Sequence, residues 1–391
     1  MGQPRSVFVD ETVFDFNYVP PRLLHRDTEL RFLTNLFRFI IDTPYEMSQR
    51  AIIVGGVGSG KTALAQRFGK DLEKEAERRR VRARYIHVNC RENKGSLFSV
   101  LLRAVRYFRN NFPDRGFSAS ELLDTLMRIL DEEDTQLVLG LDEVDTLIEK
   151  EGGDAIYNLT RVQEERQEGP RRLSLICISK DPEVFRSLDR STLSTLQRNV
   201  VRMSEYTQPQ LADILVGRAE MAFRPGAVSE EIVEFISELA EFEHGDARYA
   251  IDVLWGAGKR ADTAYSQEVH PEHVREAASN LFQALRTEEV GQLSRHEQMV
   301  LLGVARHFLH SREPYATTGE VELSYGVVCE EHGEEPRGHT QFWKYLNQLK
   351  GLGVISSRLQ TSERGRTQLI SLPKVPAEKL EREMTRILEK G

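Results

Sequence analysis

Short apolar-rich runs alternate with stretches of helical spacing through the first half of the chain. The runs at 51–54, 84–88, 137–141, 173–178 and 200–203 predict buried strands. Between them, the spacing at 63–79, 96–109 and 154–167 predicts helices. Such alternation implies a mostly parallel sheet covered on both faces. From Gln208 to about Arg286 the strand pattern stops. Segments 208–223, 229–243, 246–262 and 271–286 have helical spacing, broken at Pro225-Gly226, His244-Gly245 and Pro271. The pattern then changes again. Helices are predicted at 294–311, 319–331 and 339–350, with a turn over Glu334–Gly338. Runs 354–360 and 367–372 read as two strands joined by the polar turn Ser362–Arg366. Three helices and a β-ribbon predict a winged helix. The chain therefore divides into a sheet domain (1–206), a helical domain (207–290) and a winged helix (291–391).

The loop after the first strand carries the clearest chemistry. Gly55-Gly56-Val57-Gly58-Ser59-Gly60-Lys61-Thr62 fits G-x-x-x-x-G-K-[ST] between a strand and a helix. Glycines let backbone N–H groups converge on phosphate, and the helix N-terminus adds positive potential. Gly56 through Ala63 are the expected phosphate-binding residues, with Lys61 reaching the β- and γ-phosphates and Thr62 holding Mg²⁺. The third predicted strand, Leu137–Leu141, delivers Asp142 and Glu143 to its C-terminal end, where ligands of open α/β sheets bind. Asp142 suits Mg²⁺ coordination through water, and Glu143 the polarisation of an attacking water.

Composition narrows the setting. The 391 residues are 40% hydrophobic, which supplies real cores, and no apolar run is long enough to span a membrane. The first ten residues lack a signal-peptide pattern. Three separated cysteines, Cys90, Cys177 and Cys329, suit reduced core thiols of a cytoplasmic protein. Cys329 and His332 form a lone C-x-x-H without a second pair to complete a zinc site. The net charge is −8, which argues against wholesale nucleic-acid binding, but its distribution is uneven. From Arg337 onward the chain holds 11 Lys+Arg against 5 Asp+Glu.

Several further residues have two readings. Lys180, at the end of the fourth strand, either contacts the γ-phosphate or is a surface lysine. Arg248, opening a helix, either senses the nucleotide or forms a structural ion pair. Arg190 is either an arginine finger or a solvated loop residue. On 339–350, Phe342, Tyr345, Leu346 and Leu349 form an inward stripe, leaving His339, Thr340, Gln341 and Lys344 outward for base edges. Arg337 in the preceding turn, and Arg358, Arg364, Gly365 and Arg366 of the hairpin, would meet phosphates or the minor groove. A winged helix also serves as a protein-docking module.

Nearly the whole chain resembles the archaeal initiator family, which unites the origin recognition complex's largest subunit with the cell-division-control helicase loader. The resemblance rests on the P-loop, on Asn17 through Arg26, on Gly245-Asp246-Ala247-Arg248-Tyr249-Ala250-Ile251-Asp252, and on Gly365-Arg366-Thr367. It implies an AAA+ P-loop parallel sheet (α/β) with a helical lid and a C-terminal winged-helix domain. It also implies that Tyr18, Val19, Pro20, Leu24, His25 and Arg26 lie against the adenine, and that Arg248 is the lid's nucleotide sensor. The stretch from Arg115, including Ser118 and Ser120, falls where the family carries a helical insertion that touches DNA. Two positions depart from the family. Lys180 stands where an Asn is usual, and Ser191, not Arg190, aligns with the family's Arg. Both changes touch hydrolysis and leave binding intact.

The expected protein is an ATP/ADP- and Mg²⁺-dependent replication initiator with weak ATPase activity, nucleoid-associated in the cytoplasm. Its implied partners are double-stranded origin DNA, a second or paralogous initiator copy and the replicative MCM helicase, with no membrane. The competing readings are a nucleotide-gated transcription regulator and an AAA+ loading adaptor that docks protein.

Overall fold

The computed structural model describes residues 6–15, 18–93, 95–163, 169–196, 199–281, 293–311, 313–362, 365–373 and 375–389. These form two compact units. One comprises 19–206 with 244–247; the other comprises the N-terminal segment to Tyr18, 207–243 and 248–391.

In the first unit, strands β1 (Arg50–Gly55), β2 (Ala83–Asn89), β3 (Gln136–Asp142), β4 (Leu173–Ser179) and β5 (Val200–Met203) form one parallel sheet in the order β2-β3-β4-β1-β5. Helices α1 (Asp27–Leu36), α2 (Phe39–Asp42), α3 (Lys61–Arg79), α4 (Leu97–Phe108), α5 (Ala119–Glu132), α6 (Val144–Glu151), α7 (Asp154–Arg161) and α8 (Arg190–Leu196) complete it. The strands are apolar at consecutive positions because both faces are covered. Ile52 and Val54 join the core under α4–α7, while Ala51 and Ile53 join the core with α1 and α3. All five predicted strands are present.

Arg115, Ser118 and Ser120 are exposed, and the helix that follows them is anchored in the core. Helix α5 is amphipathic, and Leu122, Leu123, Leu126 and Met127 are buried in the core. Ser118 is its N-cap. Its hydroxyl accepts from Glu121 N, and the Glu121 carboxylate accepts from Ser118 N in return. Ser118 and one face of 119–126 are therefore committed to folding, and Arg115 stays exposed in the turn before the cap.

The second unit contains the lid helices α9 (Gln208–Ala222), α10 (Glu230–Phe242), α11 (Ala247–Thr263) and α12 (Pro271–Leu281). It continues into α13 (Arg295–His310), α14 (Thr318–Glu331), α15 (His339–Gly351) and α16 (Ala377–Leu388), with a sheet β6 (Ala316–Thr317), β8 (Gly365–Ser371), β7 (Ser356–Ser362). Helix α16 was not anticipated; its Leu380, Met384 and Leu388 complete the winged-helix core. Residues 6–15 also differ from expectation, because they belong to the lid. Ser6 Oγ and Val7 N donate to Asp262 at 2.6 and 2.7 Å, and Phe8 and Phe14 pack on Phe223.

Lid and winged helix share a buried polar seam. Arg275 is 1% exposed. It reaches Glu272 at 3.1 Å and the carbonyls of Leu372 (3.3 Å) and Pro314 (3.4 Å), with its guanidinium 4.5 Å from the Phe308 ring centre. Glu272 in turn accepts from Ala377 N, at the start of α16. Nearby, Tyr315 Oη donates to Glu238 at 2.8 Å. Cys329 is buried with its sulfur 3.9 Å from Met299 Sδ, and His332 Nδ1 lies on the Val328 carbonyl.

Candidate functional site: nucleotide cradle and winged helix

Strand β1 delivers the chain into the Gly55–Gly60 loop, and α3 begins at Lys61. Lys61 Nζ folds back to donate to the carbonyls of Gly55 (2.8 Å) and Gly56 (2.7 Å). Thr62 Oγ1 donates to Asp142 Oδ2 at 2.6 Å. The motif threonine and the acidic end of β3 thus meet, although 80 residues separate them. The two oxygens form the hard donor pair that suits Mg²⁺ beside a triphosphate.

Asp142 has further partners that sequence reasoning missed. His87 Nε2 lies 3.2 Å from Asp142 Oδ2, and Glu143 N donates to Oδ1 at 2.9 Å. Burial alone would raise the Asp142 pKa. Hydrogen bonds from His87 and Thr62 outweigh it and hold the carboxyl below its ordinary value. Glu143 occupies the left-handed region, with φ of 49°, where the chain turns from β3 into α6. Such a conformation is uncommon in a non-glycine residue. Asn89 Nδ2 holds Glu143 Oε1 at 3.4 Å. No local sequence signal marks His87 and Asn89: they arrive because β2 pairs with β3, with Asn89 in register with Asp142.

Strand β4 lies between β3 and β1, with Ser179 opposite Val54. Lys180 follows it and is exposed. Arg190 opens α8 and is exposed. Val19, Pro20 and Leu24 are half-buried, and His25 is exposed with a φ of 59°. Two members of this leading segment have partners within the protein. Tyr18 belongs to the lid unit, where Arg218 stacks on its ring at 4.5 Å. Arg26 is 2% exposed, and its guanidinium is bound to protein groups beneath the loop. Arg248 sits exposed in the first turn of α11. The preceding Asp246 and Ala247 lie against the P-loop: Ala247 N donates to Gly58 O at 3.3 Å.

On the winged helix, Phe342, Leu346 and Leu349 are buried, while His339, Thr340 and Lys344 are exposed and Gln341 is half-buried. This is the predicted division of α15. Arg337 Nε reaches His296 Nε2 at 3.0 Å, and His339 Nδ1 lies 2.9 Å from Glu322. Arg358 departs from expectation. Its side chain leaves β7 toward the lid, bonds to Glu238 and to Glu234 at 3.4 Å, and lies 4.1 Å over the Tyr315 ring. Strand alternation turns Arg358 inward and leaves Leu359 outward, 73% exposed. Gly365 and Arg366 begin β8, and Arg364 lies outside the described residues.

A parallel sheet with this cradle, a helical lid and a winged helix define an AAA+ ATPase-type protein with a DNA-binding-type terminal domain. Residues 48–179 match the AAA domain family, 212–279 the Cdc6 AAA+ ATPase-type lid domain, and 288–382 the CDC6 C-terminal winged helix domain. The chain is similar to an ORC1-type DNA replication protein 2 of Sulfurisphaera tokodaii. The two are 33% identical over 386 residues, spanning 96% of this chain and 92% of that protein. Its fold matches Cdc6p from Pyrobaculum aerophilum with a TM-score of 0.87 and 31% identity, covering 98% and 99% of the two chains. It also matches the Aeropyrum pernix ORC1 protein, solved in complex with DNA, at a TM-score of 0.66 and 29% identity over 100% and 98%. The chain belongs to the ORC1/Cdc6 family of AAA+ DNA replication initiators. Among the described residues, no helix is long and apolar enough to cross a membrane.

Proposed function

We propose that this chain is an ATP-dependent switch that recognises origin duplex DNA and helps to recruit or load the replicative MCM helicase. The carrying observation is the Thr62–Asp142 pair at 2.6 Å in a P-loop cradle, on a chain that also presents the outward polar face of α15. Gly56–Thr62 hold the phosphates, Thr62 and Asp142 hold Mg²⁺, and Glu143 orients the attacking water under control of Asn89. Arg248 distinguishes ATP from ADP, and the two nucleotides favour different conformations of the chain. Lys180 replaces the polar amide expected at the end of β4, so turnover, read as phosphate release, is slow.

Thr340, Gln341 and Lys344 face the major groove, with Arg337 and His339 beside them and Arg364–Arg366 following the backbone. Arg115 and Ser120 provide a second, shallower contact. A second or paralogous initiator copy completes the assembly, in the nucleoid of the cytoplasm. Arg366→Ala should weaken duplex binding with little change in sequence preference and lower the salt slope by about one. An unchanged salt slope in a titration would take the wing off the DNA.

The direct test is sequencing of host genomic fragments retained by the purified protein with ATP and with ADP. Sharp enrichment where replication starts, altered by the nucleotide, is the expected result. Enrichment at promoters, or none beside tight helicase binding, would overturn it.

A further inference from the structure

We propose that Arg26 and Tyr206 are positioning residues that fasten the P-loop to both chain crossings into the lid, so that phosphate in the loop is felt at the lid's hinge. The inference rests on the nucleotide-binding reading of the Gly55–Thr62 loop and adds a route by which occupancy leaves it.

Arg26 is almost completely buried, and its donors are spent inside the protein. Nη2 donates to Ser59 O at 2.9 Å and to Ser204 O at 2.6 Å. Nε donates to Tyr206 Oη at 3.0 Å, and Nη1 reaches Glu29 at 3.5 Å. The guanidinium also lies 3.9 Å from the Tyr206 ring centre. A buried guanidinium is tolerated only when its donors are matched, so this one is not available to the adenine. Two of its acceptors are main-chain carbonyls. One belongs to the P-loop, and the other lies between β5 and α9, on the first crossing into the lid.

The second crossing, 244–247, meets the same two elements. A Cβ on Gly245 would stand 2.3 Å from Tyr206 O, so the two crossings touch backbone to backbone. A Cβ on Gly58 would stand 1.9 Å from Asp246 Oδ1, so the P-loop touches the second crossing just as closely. Ala247 N donating to Gly58 O joins them directly. Residues 204–206 and 244–247 both belong to the nucleotide-binding unit, and the lid departs at Thr207 and Arg248. Packed backbone does not compress. When the Gly58–Gly60 amides close on an anion, the displacement passes to Tyr206 and Asp246, where the lid is hinged. Arg26 and Tyr206 touch neither reacting atoms nor nucleotide in this scheme; they transmit position.

The test is hydrogen exchange on the full-length protein, with and without ATP·Mg²⁺, comparing wild type with Tyr206→Phe. The variant deletes one hydroxyl and keeps the ring under Arg26, and a thermal melt verifies that it folds. In wild type, ATP should slow exchange about tenfold both in the loop (55–62) and at the crossings (204–207, 244–248). In Tyr206→Phe the loop should stay protected while the crossings lose most of their response. ATP affinity should fall by no more than about tenfold, because the hydroxyl lost makes no contact with the nucleotide in this scheme. Arg26→Lys, which replaces the fork by a point charge, should give an intermediate response. Crossings that respond in Tyr206→Phe as in wild type would overturn the inference. So would wild-type loop protection without any response at the crossings, which leaves nucleotide binding standing. Absence of protection anywhere in wild type would instead remove the nucleotide reading itself.

Discussion

Lys61→Ala removes most ATP and ADP binding, with affinity measured by calorimetry falling by at least about thirtyfold. The ammonium is held over the loop by the carbonyls of Gly55 and Gly56 at 2.8 and 2.7 Å, at the mouth of the backbone cradle. A phosphate chain bound there exchanges those neutral acceptors for charged ones, which make bonds roughly twice as strong. Deleting the cation leaves the β- and γ-phosphate charge unmatched in a partly dehydrated site, a loss of about 2–5 kcal/mol for comparable buried charge pairs. The fold should survive, because Leu64, Ala65 and Phe68, in the turns that follow Lys61, keep α3 anchored in the core. Retained affinity in a folded Lys61→Ala protein would move the phosphates out of the loop.

Arg275→Ala should be the most destabilising single change in the lid and winged helix, by roughly 3–5 kcal/mol. The side chain spans the seam, bonded to Glu272 and to the Leu372 and Pro314 carbonyls and stacked on Phe308. Burial raises the pKa of Glu272, and Arg275 is among the groups that offset this. Removing the guanidinium leaves a carboxylate and two carbonyls without their cation, together with a cavity against Phe308. Both tryptophans of the chain, Trp255 and Trp343, lie in this unit, so urea unfolding followed by their fluorescence isolates it. Adding Glu272→Gln to the Ala variant should recover part of the loss, since the stranded carboxylate is gone. A loss below about 1 kcal/mol would mean that the seam opens readily and water satisfies both sides.

Arg358 bears on the same seam. An arginine on a wing suggests a phosphate contact, yet Glu238, Glu234 and Tyr315 hold it against the lid. Part of the positive charge gathered near the C-terminus is therefore paired within this chain. Arg26 is a parallel case at the cradle, withdrawn from the ligand by Ser59, Ser204 and Tyr206. Both side chains are bonded within the protein, to partners that the sequence did not indicate. Charge and motif position identify a residue that binds something. The long-range acceptors lie 33 to 180 positions away for Arg26 and 120 or more for Arg358.

The amino-acid order by itself determined whatever depends on neighbours along the chain. It placed the apolar runs that become β1 to β5, the glycine loop ending in Lys61-Thr62, the carboxylates after β3 and the buried stripe of α15, because periodicity and turn chemistry are local properties. Tertiary structure alone decided the sheet order β2-β3-β4-β1-β5, which sets His87 and Asn89 beside Asp142 and Glu143. It alone assigned residues 6–15 to the lid, capped the winged helix with α16, and buried Arg26 and Arg275 among distant carbonyls. These outcomes follow from which strand edges pair and which apolar faces meet. The decisive energies arise between segments whose sequences carry no record of one another.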